Sequence, residues 1–347
     1  MTKYTKIIVG LLCSVTLLSG CASHSGNGAS PDQDAAADSS TAVESSTAGS
    51  SATAEGAATE ETEAADHSSA GKTGDEAAGA DGSAAASTNE HAGEKVYLDY
   101  IDAWDEWHTM EVDPAVRENT YDAKKFVADV NNSQWVTYSD SDYTVLQGVD
   151  VSEHQGLIDW KAVADAGYSF AFIRVGYRGY GESGKLCEDY HAIENLRSAK
   201  EAGLKVGTYF FSQALNEEEA REEAELAVRM IDESCVQQDL PLMYDPELIK
   251  DDVGRANDIT REQVALNTEA FRETVESISD YKADIYSNLP WEHELFDAET
   301  LNNFDIWYAD YENPPQTPYH FIWWQYTNKG SVPGIEGAVD LDLWIVR

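Results

Sequence analysis

Leu240-Pro241-Leu242-Met243-Tyr244-Asp245-Pro246-Glu247 decides how this chain is read. The apolar run predicts a buried strand over 241–247. Side chains alternate along a strand, so residues two apart share a face. Asp245 and Glu247 are therefore expected to project together from one strand end. A strand apolar throughout is buried on both faces, as in parallel sheets covered by helices.

Outward from this strand, strand and helix patterns alternate. Upstream, 145–151, 170–175 and 205–211 read as strands. The segments 160–166, 191–202 and 216–233 read as helices. Gly203 stops the second helix. Asn216 and Glu219 have capping-box spacing in the third. Downstream, 260–279 predicts a helix with Thr260 as N-cap and Gln263 three residues on. Strands follow at 283–287, 304–309, 321–326 and 338–341. Eight strands alternating with helices predict an α/β chain closed into a TIM-like (β/α) barrel. The last three strands leave no room for full helices, so that side is expected to be irregular.

Catalytic groups of such barrels sit at the C-terminal strand ends. Asp150 ends the first strand, Asp245 and Glu247 the fourth, Asp310 the sixth, and Asp340 with Asp342 the eighth. Acids from four strand ends are expected to converge on one mouth. Cleavage of a glycosidic bond uses a pair of carboxyl groups, one protonated and one ionised. Aromatic residues lie near the same ends: Tyr177, Tyr180, Tyr209, Tyr286, Trp307, Tyr308, Trp323, Trp324 and Tyr326. Sugars have apolar faces and polar edges, which aromatic walls with carboxylate and amide rims suit. About half of these rings are expected to be barrel core, because strand residues alternate inward and outward.

The chain has 347 residues and a net charge of −41. That charge argues against nucleic acid and anionic membrane surfaces as direct partners. Lys3 and Lys6 precede an apolar stretch, 7–18, too short to span a bilayer as an ordinary helix. Leu18-Ser19-Gly20-Cys21 then resembles a bacterial lipobox. The resemblance implies a signal peptide over 1–20 and a lipid on Cys21, which would anchor the chain to the outer face of the cell membrane. Residues 21–95, Ala-, Ser- and Gly-rich and acidic, predict a disordered tether. Residues 96–144 predict an aromatic-rich extension packed on the main domain, 145–347. Of four cysteines, Cys13 would leave with the signal, and Cys187 and Cys235 are expected as separate thiols. No zinc site is implied.

Gly148-Val149-Asp150-Val151-Ser152-Glu153-His154-Gln155-Gly156, followed by Ile158-Asp159-Trp160, is similar to the opening motif of the family 25 glycoside hydrolases. Further matches fall at 172–177, 207–212, Asp245-Pro246-Glu247, Trp324-Gln325-Tyr326-Thr327 and Val339-Asp340-Leu341-Asp342, in family order. The resemblance covers about Leu146 to the C-terminus and leaves out the tether and the extension. It implies an incomplete TIM-like barrel of five βα units and three further strands. It implies a lysozyme that cuts the β-1,4 bond from N-acetylmuramic acid to N-acetylglucosamine in peptidoglycan, for cell-wall remodelling or catabolism. It assigns Glu247 as general acid, Asp245 as its partner, and Asp150 and Asp340 as the other active-site aspartates. Asp310 and Tyr209 fall where the sugar site is lined, and Tyr177, Tyr286, Trp324 and Gln325 are further candidates for that lining. No metal or organic cofactor is implied, and a monomer is expected.

Burial and a neighbouring charge are expected to keep Glu247 protonated for donation to the leaving oxygen. Two routes stay open for the other half of the reaction. Asp245 attacks the anomeric carbon, or the substrate's acetamido oxygen attacks while Asp245 steadies the resulting ion; the second is favoured. Both retain configuration. Two residues depart from the family pattern: Pro246 stands where Trp is frequent, and Asp342 where Asn is frequent. Pro246 predicts an edge or bulge at its strand end. The other class of reading is a cell-wall-binding surface lipoprotein without catalysis, which would not need all four carboxylates.

Overall fold

A computed structural model describes residues 95–347 apart from 104–105 and 251–252. The signal, Cys21 and all but the last residue of the tether lie outside the described residues. Two small hairpins come first. β1 (Tyr97–Ile101) pairs antiparallel with β2 (Trp107–Glu111), and β3 (Phe126–Ala128) with β4 (Val136–Tyr138). The main domain then runs β5 (Thr144–Val151), α1 (Trp160–Asp165), β6 (Phe170–Arg178), β7 (Leu186–Glu188), α2 (Ala192–Glu201), β8 (Lys205–Ser212), α3 (Glu217–Ser234), β9 (Leu242–Pro246) and α4 (Arg261–Ile278). It finishes with β10 (Ala283–Asn288), α5 (Leu289–Glu294), α6 (Ala298–Asn303), β11 (Ile306–Ala309), β12 (Trp323–Gly330) and β13 (Val339–Val346).

The sheet order is β5-β13-β12-β11-β10-β9-β8-β6-β7, and β5 also pairs with β6. That last pairing closes eight strands into a barrel and leaves β7 as an antiparallel flap on β6. The ladders from β5 through β6, β8, β9, β10 and β11 to β12 are parallel, whereas β13 runs antiparallel to both its neighbours. The expected TIM-like α/β barrel is thus observed, with β13 antiparallel where strand–helix alternation predicted a parallel sheet. Its third quarter is more helical than the sequence pattern suggests, because α5 and α6 each fit one short turn-rich segment behind an Asn288 or Asp297 N-cap.

Aromatic rings fill the barrel from strands that are not sheet neighbours. Phe172 stacks on Trp307 at 4.6 Å, and Tyr209 meets Trp307 edge-on at 5.6 Å. Phe170 meets Trp344 at 5.9 Å. Gly148 has to be glycine in this packing, since a Cβ there would fall 2.3 Å from the Phe170 ring. The outer faces carry the helices. Tyr244 and Phe210 both turn outward onto Phe271 of α4. Alternation then turns Tyr209, Phe211, Met243 and Asp245 inward, and the β8–β9 register agrees, pairing Tyr209 with Met243 and Phe211 with Asp245.

The 95–144 segment packs on the β12 side. Tyr121, Phe126, Tyr138 and Tyr143 make edge-to-face contacts with one another. Phe126 also meets Trp324 edge-on at 5.3 Å, and Tyr121 donates its hydroxyl hydrogen to the Phe321 carbonyl at 3.0 Å. Cys187 and Cys235 are free thiols. Cys235 caps α3 in a left-handed conformation, at φ 57°.

Because Phe126 fills a gap between hairpin and barrel, Phe126→Ala should cost about 3–5 kcal/mol of unfolding free energy. Urea denaturation followed by tryptophan fluorescence measures it. A cost near zero would mean the hairpins add nothing to the barrel.

Candidate active site

β9 ends at Pro246, and the two acids flank it. Asp245 and Glu247 are both buried, at 3% and 4% exposure. Pro246 does not make the strand an edge or a bulge as the sequence suggested. β9 lies between β8 and β10, and Pro246 pairs in register with Ser212. The β10 ladder stops at Tyr244, however, so a residue without an N–H is placed just past the hydrogen bonds it would break. The chain beyond is pinned. Gln213 donates to the Glu247 carbonyl at 2.5 Å, and Asn257 exchanges two hydrogen bonds with the backbone of Ile249.

β5 and β13 supply the next acids. Their antiparallel register sets Asp340 opposite Asp150 and Asp342 opposite Gly148. Paired residues share a face, so Asp150, Asp340 and Asp342 point the same way. All three are buried. Gln325 of β12 joins this group to the aromatic wall. Its Nε2 donates to Asp150 Oδ2 at 2.9 Å, and its Oε1 accepts from Tyr286 and Tyr311 at 3.2 and 3.1 Å. Trp307 Nε1 donates to Asp342 Oδ1 at 2.8 Å. Burial pushes the Asp342 carboxyl up to about 7, against hydrogen bonds with Trp307 and Asp150 that pull it down.

Tyr286 ties the two acid groups together. Its hydroxyl is held well above the usual phenol range, by burial first and then by the charges of Tyr311, Glu247, Asp245 and Asp150. One phenol therefore stands within electrostatic reach of acids from both β5 and β9. Convergence of these carboxylates gives a buried, acidic mouth lined by Tyr209, Tyr286 and Gln325. Such a group can hold a proton on one oxygen and negative charge on the next.

Three expected sugar-site residues have contacts of their own. Trp324 points away from the mouth. Its β12 neighbours Trp323 and Gln325 face inward, so Trp324 packs against Phe126 and donates Nε1–H to the Asp310 carbonyl at 2.8 Å. Asp310 is spent on its own loop. Its Oδ2 accepts from Tyr308 and the Gln316 amide at 2.9 and 2.7 Å, and its Oδ1 from the Glu312 amide and Gln316 Nε2 at 3.0 and 3.1 Å. Tyr177 lies beside Arg174, whose guanidinium stands 4.9 Å from the ring centre. Arg174 also bonds Asp189 at 3.0 Å and stands 3.6 Å from Glu153.

A small cleft beside the mouth is lined by Tyr286, Trp291, Tyr308, Asp310, Tyr311 and Gln316, and by Ile101 to Ala103 from the first hairpin. Gln316 fixes that hairpin by two bonds to the backbone of Ile101. Asp102, Glu106 and His108 come within 4.8 Å of one another, but Lys250 already stands 2.9 Å from Glu106 and 3.9 Å from Asp102. Sequence reading missed Tyr311, since nothing in its spacing marks a hydroxyl that reaches Gln325.

Residues 149–335 match the glycosyl hydrolases family 25. YegX, an uncharacterized protein of Escherichia coli K12, is 30% identical over 210 residues, 58% of this chain and 70% of YegX. The autolytic lysozyme of Clostridium acetobutylicum is 27% identical over 199 residues, 57% of this chain and 55% of that protein. The modular autolysin LytC of Streptococcus pneumoniae, solved with a synthetic peptidoglycan ligand, shares the fold at a TM-score of 0.53 and 22% identity. That alignment covers 73% of this chain and 58% of LytC.

Gln325 serves three partners at once. Gln325→Leu should lower unfolding free energy by about 1–3 kcal/mol, since two phenols and a carboxylate lose their bond to it. Chemical denaturation at neutral pH checks this, and an unchanged midpoint would show that the hub adds no stability.

Proposed function

This chain belongs to the glycosyl hydrolases of family 25, and on that footing we propose that it is an N-acetylmuramidase acting on the glycan strands of peptidoglycan. The observation that carries the reading is the buried pair Asp245 and Glu247 at the end of β9, with Asp150 and Asp340 side by side across the β5–β13 ladder. Glycosidic cleavage needs a proton donor and a negative partner on the two sides of one bond. Glu247, past the strand end, donates to the leaving oxygen. Asp245 on the same strand meets the charge that develops at the anomeric carbon. Burial strengthens both effects, because charges act further where water is excluded.

The route favoured here is attack by the substrate's own acetamido oxygen, with Asp245 steadying the cyclic cation. Asp150 and Asp340 add negative potential and hold the mouth's geometry. Tyr209 and Tyr286 offer ring faces to the sugar. Names among the relatives, an autolytic lysozyme and an autolysin solved with a peptidoglycan ligand, support the substrate class. The lipobox-like Leu18-Ser19-Gly20-Cys21 further suggests an enzyme held on the outer membrane face by a lipid, close to its wall. Tethering raises local concentration, which an acidic chain cannot gain by attraction to anionic wall polymers.

The test is digestion of purified peptidoglycan by residues 95–347, the part whose fold is described above. Products are reduced and their new ends identified by mass spectrometry. The unmutated protein should release reduced muramic acid ends, and Glu247→Gln should slow release by about a hundredfold or more. Intact glycan strands with retained wall binding would replace this reading with that of a binding module. Inverted product configuration would eliminate both proposed routes for Asp245.

A further inference from the structure

A hairpin from outside the matched family domain stands against the mouth. β1 and β2 lie within residues 97–111, whereas the family match begins at 149. The turn between them is held on two sides. Gln316, from the loop after β11, donates to the Ile101 carbonyl at 2.9 Å and accepts from the Ile101 amide at 3.0 Å. On the other side, Lys250 donates to Glu106 at 2.9 Å from the loop after β9, the loop that begins with Glu247. Inside the turn, Asp102 accepts from the Glu106 amide and bonds the His108 ring, each at 2.9 Å. The hairpin thus bridges two rim loops, one with Asp310 and Tyr311 and the other with the candidate acid.

Its ladder gives the hairpin two unlike faces, because residues paired across strands point the same way. Leu98 with Met110 and Tyr100 with His108 make one face, on which Tyr100 and Met110 are buried. Tyr97 with Glu111, Asp99 with Thr109 and Ile101 with Trp107 make the other. That second face is open. Tyr97 is 60% exposed and Trp107 73%. Between the two rings, Thr109 donates its hydroxyl hydrogen to Asp99 at 2.6 Å. Along its length the face reads aromatic, polar, aromatic. Sugars match such a face, with apolar C–H surfaces for the rings and hydroxyl edges for the polar pair.

The open face is continuous with the mouth. Ile101 lines the small cleft together with Tyr286 and Tyr311. Those two phenols bond Gln325, which in turn bonds Asp150. Trp107 stands opposite Ile101, one strand spacing of about 5 Å further out. A lone exposed ring on a protein surface means little. This one ends a lined path that starts at the carboxylates.

We propose that the open face of the β1–β2 hairpin is a further sugar subsite, in which Trp107 stacks on an amino sugar of the glycan strand distant from the bond that is cut. The choice of glycan rests on the muramidase reading; the stacking itself needs no turnover. An acidic chain gains nothing from attraction to anionic wall polymers, whereas an indole holds a sugar without charge. The bonds to Gln316 and Lys250 fix the backbone beneath the ring before substrate arrives, which lowers the ordering cost of binding.

The test is calorimetric binding by the full-length protein carrying Glu247→Gln, so that ligands stay intact. Ligands are peptide-free peptidoglycan glycans graded from the disaccharide to long strands. Adding Trp107→Ala should weaken long strands by about tenfold, the scale of losing one tryptophan contact, and the disaccharide by less than about twofold. Trp107→Phe keeps a ring and should stay within about threefold of the parent on long strands. Both variants should keep the parent's Tm, since the indole is exposed. Long strands bound equally well by the Ala variant, or a Phe variant as weak as the Ala variant, would overturn the subsite. Equal weakening of disaccharide and long strands would do the same, as would a loss seen only with peptide stems attached. Sedimentation showing that Trp107 joins two copies of the chain would also overturn it. Long strands bound through Trp107 but left uncut when Glu247 is restored would sink the muramidase reading and leave the subsite standing. A parent that binds no strand would sink the subsite, whatever digestion shows.

Discussion

The structure depends on the antiparallel pairing of β13 with β5. It closes the barrel, since β13 has β12 on its other side and β5 continues to β6. The same ladder sets Asp150 opposite Asp340, with Asp342 two residues on. A strand's register moves in single residues, and a slip of one would turn all of β13 inside out. Asp340 and Asp342 would then leave the mouth, and Leu341 and Leu343 would turn into it. Closure and site geometry are thus one constraint. The inward aromatic layer enforces it, because Trp344 must meet Phe170 while Trp323 lies beside it.

Much of this was legible in the chain. All eight barrel strands read correctly because each is an apolar run bounded by helix caps or turn residues, which is how doubly covered strands look. The helices α3 and α4 read well for the same reason: Asn216 and Thr260 cap them in the structure, each accepting from the amide three residues on. What escaped has physical causes. β7 is only three residues long and partly exposed. α5 and α6 have six residues each and lie in a stretch where the short spacing between strands left no room for full helices.

The outward turn of Trp324 has a similar origin. Trp324 and Gln325 are adjacent in sequence, and both were read toward the mouth. Alternation allows only one of them to face inward, and the phase is fixed by Trp323 and Gln325 packing inside. Asp310 sits at a strand end, where an acid can serve a substrate or organise a turn. Four donors from its own loop hold its oxygens while it still lines the cleft, and they come from residues up to six positions away that only the folded turn brings in. The carboxylates of β5, β9 and β13 were legible because strand ends of a barrel share one rim whatever the loops do.

Buried acids also have to be kept from being neutralised by the protein's own cations. Two interior arginines have acidic partners of their own. Arg174 is held by Asp189 and Glu153, and Arg178 by Glu223 at 2.7 Å and Glu222 at 2.9 Å. The donors on Asp310 and Asp342 are an amide, a phenol, an indole and backbone groups, all neutral. Neutral donors satisfy lone pairs without cancelling charge. The mouth consequently keeps a negative field in a dry setting, where a developing positive charge gains the most. A salt-bridged arrangement would stabilise the folded chain more simply, yet would leave little field for an oxocarbenium-like or oxazolinium-like ion. An indole on Asp342, rather than a guanidinium, leaves that field uncancelled there.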